Sequence, residues 1–227
     1  SAAKTRADNA QLQSIRLRYK KAADYFLQAA QILPEGHEEK RAICLSAAGE
    51  NLYCISKYTE VLSLFEESLT IYRRTGDLKE VSRVLDNIGL IYDAWNNYTT
   101  ALTYLEESLA IRKKIGDKSG EGKSLSNISQ IYKAYGDYIT ALTYLEQSLS
   151  IRQELNDKYG EGSILNNMGS IYVELRQDEK ALSVFEKGLK IFCEIGDKIG
   201  EAAILCNISR VFKVRKDYTK ALAYLER

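Results

Sequence analysis

One pattern of forty residues recurs along this chain and limits what it can become. Residues 76–115 read GDLKEVSRVLDNIGLIYDAWNNYTTALTYLEESLAIRKKI. Residues 116–155 read GDKSGEGKSLSNISQIYKAYGDYITALTYLEQSLSIRQEL, and residues 156–195 read NDKYGEGSILNNMGSIYVELRQDEKALSVFEKGLKIFCEI. A fixed period of this length marks a repeat array, in which each unit buries its apolar face only against its neighbours. Each block holds two apolar stretches at helical spacing. First helices are predicted near Glu38–Cys54, Leu78–Trp95, Lys118–Tyr135, Lys158–Leu175 and Lys198–Val214. Second helices are predicted over Tyr58–Arg74, Tyr98–Lys114, Tyr138–Glu154, Asp178–Glu194 and Tyr218–Arg227. Gly76, Gly116, Asn156 and Gly196 stand where a left-handed helix stop is wanted, and Asp77, Asp117, Asp157 and Asp197 follow as caps of the next helix.

The boundaries that follow are 1–37 for an N-terminal lead-in and a capping or divergent helix, then five units at 38–77, 78–117, 118–157, 158–197 and a truncated 198–227. Residues 1–11 are small and polar and read as a frayed lead-in. The helix from Leu12 to Leu33 aligns with the second half of a unit, because KAADYFLQAAQIL matches TALTYLEESLAI; Pro34 and Gly36 end it. The last unit stops at Arg227, midway along its second helix, so the chain reads as a piece of a longer protein.

Composition narrows the function. The 32 basic and 31 acidic residues nearly cancel, which removes any bulk attraction to nucleic acid or anionic lipid. No apolar run reaches the roughly 18 residues of a membrane span, and SAAKTRADNA has no apolar signal region. Cys44, Cys54, Cys193 and Cys206 form no CxxC pair; at apolar helical positions they read as buried free thiols, and the chain as cytoplasmic. Gly122-Lys123-Ser124 has the look of a P-loop end. However, Asp117 occupies the first glycine position, no strand precedes it, and the equivalent stretches lack the lysine. His37 is the only histidine, and it lies in a loop with no nucleophile pattern. Zinc spacing is absent. Glu66-Glu67 and Glu106-Glu107 read as charged outer faces, and the sequons at Asn97, Asn127 and Asn207 fall at helical positions. The reading is therefore non-enzymatic, without cofactor or metal.

Within a unit the order is bulky, any residue, Asn, apolar, small, two residues, aromatic, with Ala nine residues later. In the third unit these are Leu125, Asn127, Ile128, Ser129, Tyr132 and Ala141; in the fourth, Leu165, Asn167, Met168, Gly169, Tyr172 and Ala181. This resembles the tetratricopeptide repeat in a long-helix, 40-residue variety, like spindle-orientation adaptors of the LGN type, bacterial regulatory arrays and kinesin light chains. The resemblance covers about residues 14–227 and implies an all-α, right-handed solenoid of helix–turn–helix repeats. Gly49, Gly89, Ser129, Gly169 and Ser209 are expected to meet the second helices closely, near Ala101, Ala141, Ala181 and Ala221. Tyr92, Tyr132, Tyr172 and Phe212 are expected to fill the layer between units.

The resemblance also implies that first helices line a concave groove, with the motif Asn pointing into it. Those residues are Asn87, Asn127, Asn167 and Asn207; Ala47 ends the series. An amide can both donate to and accept from a peptide backbone. With helices packed about 8–10 Å apart and an extended peptide advancing about 3.3 Å per residue, one Asn meets the ligand about every three residues. The other reading is that these amides bond the neighbouring helix and fix repeat geometry. Arg83, Leu90 and Asp93, then Lys123, Gln130 and Lys133, Ser163, Ser170 and Val173, and Ala203, Arg210 and Lys213 share the Asn face. Lys123 and Lys133 with Asn127 make half of a carboxylate clamp of the chaperone-binding kind. The partner is thus a protein or peptide, or another domain of the same chain, and not nucleic acid or membrane. The function expected is an interaction scaffold, the alternative a regulatory module within a larger protease or signalling enzyme.

Overall fold

The computed structural model describes the backbone of residues 2–226 and the side chains of residues 12–226. The described residues form α-helices joined by short turns, with no strand among them. The helices are α1 (Ala2–Ile32), α2 (Glu38–Tyr53), α3 (Tyr58–Thr75), α4 (Leu78–Ala94), α5 (Tyr98–Ile115), α6 (Lys118–Tyr135), α7 (Tyr138–Glu154), α8 (Lys158–Glu174), α9 (Asp178–Ile195), α10 (Lys198–Val214) and α11 (Tyr218–Leu225). The all-helical, repeat-built class is therefore as expected. The stretch read as a lead-in differs: α1 runs through it from Ala2, since small and polar residues without Pro or Gly do not interrupt a helix. Arg227, placed in the last helix by the sequence, lies outside the described residues.

The turns explain the boundaries. Asp77, Asp117 and Asp157 each accept a hydrogen bond from the backbone N–H three residues on, at 3.1, 3.0 and 2.8 Å, and Asp197 accepts from Ile199 N. Asp137 and Asp217 do the same inside their units, toward Thr140 N and Lys220 N. Gly76 and Gly196 adopt φ of +79° and +75°, the left-handed geometry that ends a helix at least steric cost. Asn96, Asn156, Arg176 and Lys216 hold the same geometry with side chains.

Two compact units, Ser1–Ile115 and Gly116–Arg227, divide the chain. In the first, α1 to α5 bury one continuous core that includes Ala23, Leu45, Phe65, Tyr72, Leu85 and Ile88. In the second, one cluster joins Ala141 and Leu145 of α7 to Ile164 and Met168 of α8, and another joins Phe185 of α9 to Ile204 and Ile208 of α10. Burial of each such Leu, Ile or Phe contributes about 1.5–3 kcal/mol.

The small residues sit where second helices press hardest. A Cβ on Gly89 would stand 2.8 Å from Leu105 Cγ and 3.2 Å from the Ala101 carbonyl oxygen. One on Gly169 would stand 2.6 Å from Phe185 Cδ1. A second close crossing escaped the sequence reading: Ser108 donates to the Ser82 carbonyl at 2.8 Å, Ser148 to the Gly122 carbonyl at 2.7 Å, and Gly188 meets Gly162 at the equivalent place.

Two expectations need correction. The aromatic residues do not serve only the layer between units. Tyr92 stacks on Tyr104, Tyr132 on Tyr144 and Phe212 on Tyr224, each pair within one unit at 5.5 Å between ring centres. Tyr172 faces Val184 at that position; Lys180 sits over its ring, and it packs against the cores on both of its sides. The cysteines are not buried: Cys54, Cys193 and Cys206 are exposed and Cys44 is half-buried. A helical apolar stripe is wider than the strip a neighbour covers, so residues at its margin remain in solvent.

Candidate functional site

The face built from first helices carries the predicted site residues, and each unit presents its own part. In the first unit, α4 owes its position to Val81, Val84, Leu85, Ile88 and Ile91, which enter the core. That leaves Arg83, Asn87, Leu90 and Asp93 half-buried on the opposite side. Arg83 is engaged twice. Its Nη1 pairs with Glu50 of α2, and its Nη2 lies 2.6 Å from Glu80 Oε2. Burial works against its charge, but the Glu80 hydrogen bond and the Glu50 carboxylate outweigh it and raise its pKa. Asn87 Nδ2 donates to the same Glu50 at 3.4 Å. Burial raises the pKa of Asp93. Between α2 and α4 lies an open cavity of about 490 Å³, lined by Glu39, Ile43, Tyr72, Asp77 and Glu80 along with Arg83 and Glu50.

In the second unit, Asn127, Gln130 and Lys133 of α6 are half-buried and Lys123 is exposed. The Nδ2 of Asn127 is shielded from solvent and has no hydrogen-bond partner. A free amide donor in that position costs about 1–3 kcal/mol unless something accepts from it. Asn167, Ser163, Ser170 and Val173 are half-buried on α8. Ala203, Arg210 and Lys213 are exposed on α10. Asn207 Nδ2 donates to Asn166 Oδ1 at 2.8 Å, tying α10 to α8. Beside that pair an open cavity of about 450 Å³ is lined by Asn166, Asn167, Tyr159, Phe192, Ile199 and Ala203. Tyr159 and Ile199 are 63% and 84% exposed. Lys123, Lys133, Arg210 and Lys213 make no ion pair among the described residues.

The amides thus divide. Asn87 and Asn207 reach a neighbouring first helix, as the geometric reading has it, while Asn127 and Asn167 have amide groups that bond no other first helix. Sequence reasoning passed over the residue just before each Asn. Asp86 is fully buried and 2.7 Å from Arg112 of α5; Asn166 bonds Asn207. A signal existed in one repeat: Asp86 is the one acid in its column, and Arg112 of the same repeat stands where it can pair with it, whereas the other repeats hold Ser46, Ser126 and Asn166 there. The paired glutamates of second helices lie on an outer face as expected, with Glu67 bonded to Arg41 at 3.0 Å and Glu107 to Arg73 at 2.6 Å. Gly122 lies inside helix α6, which removes any phosphate-binding loop there. No group of His, Cys, Asp and Glu among the described residues could hold a metal ion, and no described helix is long and apolar enough to cross a membrane.

The family model described as tetratricopeptide repeat matches residues 41–114, 97–154, 120–194 and 160–227. No curated protein matches the chain. Among solved structures, BtubC (BKLC) from P. vanneervenii is similar over 95% of this chain and 89% of its own, with 19% identity and a TM-score of 0.76. The Rap conjugation gene regulator of the plasmid pLS20, in complex with the Phr* peptide, is similar over 96% of this chain and 70% of its own, with 16% identity and a TM-score of 0.71. A Rap protein complexed with Competence and Sporulation Factor is similar over 96% and 71%, with 17% identity and a TM-score of 0.70.

Proposed function

This chain belongs to the tetratricopeptide repeat family, and we propose that it is a protein-interaction scaffold whose first-helix face takes an extended peptide segment of a partner. The observation that carries the reading is the cavity between α8 and α10. There, amides that can bond a peptide backbone stand beside Tyr159 and Ile199, apolar side chains left in solvent with room in front of them. A cleft of mixed amide and apolar lining suits a chain with one polar backbone and alternating side chains. The similar Rap structures, both complexed with a peptide or factor, support the same use of this fold. In this reading Asn127 and Asn167 hold backbone, and the unbonded Nδ2 of Asn127 takes a peptide carbonyl. Gln130, Lys133, Arg210 and Lys213 read side chains.

The test starts with selection from a phage-displayed random dodecapeptide library on the immobilised chain, then fluorescence polarisation with a selected peptide. Two lost amide bonds at about 0.5–1.5 kcal/mol each predict that Asn127→Ala with Asn167→Ala weakens binding about tenfold, with unchanged circular dichroism. An unchanged Kd in a folded double variant would falsify the role of these amides. Binding confined to a segment of the same polypeptide would instead assign the face to an intramolecular contact, the regulatory alternative.

A further inference from the structure

The equivalent clefts of the two units differ in chemistry, and the difference points to a ligand. Between α8 and α10 the lining positions hold Tyr159, Phe192, Gly200 and Ala203. Forty-residue periodicity maps these onto Glu39, Tyr72, Glu80 and Arg83 between α2 and α4. The repeat therefore folds without charge at those positions, and the charges of the first cleft are not a requirement of the scaffold. Four carboxylates, of Glu39, Glu50, Asp77 and Glu80, line this cavity against one guanidinium, of Arg83. Glu50 and Glu80 share that guanidinium, Asp77 caps α4 through one oxygen, and Glu39 is exposed without an ion pair.

An independent observation comes from the floor. Tyr72 is only 2% exposed, yet its hydroxyl lacks a hydrogen-bond partner, as does the hydroxyl of fully buried Ser46. Burial raises the pKa of Tyr72, and the nearby Ser46 and Arg83 offset this only in part, since neither completes a well-formed hydrogen bond to the hydroxyl. Phe192 does the same packing without a hydroxyl, so the Tyr72 oxygen is surplus to the fold. The carboxylates do not converge tightly enough to hold a metal ion. A cavity of about 490 Å³ instead has room for an organic cation and its alkyl stem, which Ile43 in the lining would cover.

We propose that the cleft between α2 and α4 is a specificity pocket for a lysine or arginine side chain of the partner peptide, with Glu39 and Glu80 meeting the charge and the Tyr72 hydroxyl accepting from it. The pocket rests on the peptide-binding reading above and adds the chemistry of one ligand residue to it. The basic head would gain charge-assisted hydrogen bonds and relieve the excess of carboxylate over guanidinium.

The experiment runs the random dodecapeptide selection in parallel on the chain and on its Glu39→Gln/Glu80→Gln variant, checked for fold by circular dichroism. The expected result is a lysine or arginine at a recurrent position, lost on the variant. With one selected peptide in fluorescence polarisation, the double variant is expected to weaken binding about tenfold, each single change about three- to fivefold. Tyr72→Phe should weaken it about threefold at an unchanged Tm, and acetylation of the peptide lysine (citrulline for arginine) should erase the difference between chain and variant. Selected peptides without a recurrent basic residue, or a Kd indifferent to Glu39→Gln/Glu80→Gln, would overturn the pocket and leave peptide binding standing. No enriched peptide on either target would overturn both. Displacement of the peptide by spermidine at equal affinity would overturn the peptide source in favour of a free polyamine.

Discussion

Gly169 and Phe185 offer a direct test of how the repeat is packed. A Cβ added at Gly169 would come within 2.6 Å of Phe185 Cδ1 and 2.7 Å of Cζ, and the ring is fully buried, so it has no solvent to swing into. Gly169→Ser should overpack the crossing by about 1–3 kcal/mol, offset by roughly 0.5 kcal/mol of helix propensity. Phe185→Leu alone should lose about 1.5 kcal/mol through unfilled space. The double variant, however, recreates a combination already used one repeat earlier. Ser129 and Leu145 are both fully buried, and the Ser129 hydroxyl donates to the Ser126 carbonyl at 2.6 Å. The double variant should therefore cost no more than about 1 kcal/mol, giving a coupling of roughly 2 kcal/mol between the two positions. For a chain of this size each kcal/mol moves the melting temperature by about 2–4 °C. Gly169→Ser, at a net loss of about 1.5 kcal/mol, should then melt about 3–6 °C low and the double variant within about 4 °C of the parent. The measurement is far-UV circular dichroism on heating. If the double variant falls by the sum of the single losses, the helix crossing is not at these residues.

Two further outcomes follow from groups the structure buries or caps. Asp86→Ala should leave the buried Arg112 charge unpaired and cost about 3–5 kcal/mol, whereas Asp86→Asn/Arg112→Phe, the pair found at Asn166 and Phe192, should recover most of it; chemical denaturation midpoints of the three proteins decide this. Hydrogen bonds from Thr140 and Lys220 lower the pKa values of the capping Asp137 and Asp217. A carboxylate with a depressed folded pKa stabilises above its unfolded pKa and loses that contribution as pH falls through the folded one. Melting temperature should accordingly drop on acidification below about pH 4, and Asp137→Asn, which still caps, should flatten part of that drop.

The helices were legible because their signals are local. Forty-residue spacing, capping Asp and left-handed Gly or Asn act within a few residues, so predicted and observed helix bounds agree within one residue for α2 to α10. What failed depends on neighbours that a single repeat does not contain. Cys193 and Cys206 sit at the margins of apolar stripes, and only the packed partner decides that they face solvent. Arg83 reads as a free basic groove residue until Glu50, 33 positions away, is seen to pair with it. The crossing of Ser108 on the Ser82 carbonyl involves two unremarkable serines and needs both helices in place. That these positions share the first-helix face was legible in the repeat, but which of them pair with neighbours was not.

Some positions hold the fold, and others change their chemistry from repeat to repeat without disturbing it. At the junction between successive repeats, a side chain from the end of one second helix lies over the start of the next first helix. A Cβ on Gly160 would stand 2.6 Å from Arg152 Cδ, and one on Gly200 would stand 2.6 Å from Phe192 Cδ1. In the first unit that junction holds Tyr72 and Glu80 instead, and Glu80 turns to Arg83. A glycine there leaves the cleft lined by the preceding apolar ring, whereas a glutamate makes the lining negative. Because caps, small crossings and core Leu, Ile and Phe are satisfied in either case, exchange at this junction changes what a cleft can bind without disturbing the repeat. In the proposed peptide-binding reading, the cleft between α2 and α4 and the cleft between α8 and α10 would each meet a ligand residue through its own junction, Tyr72 with Glu80 in one and Phe192 with Gly200 in the other.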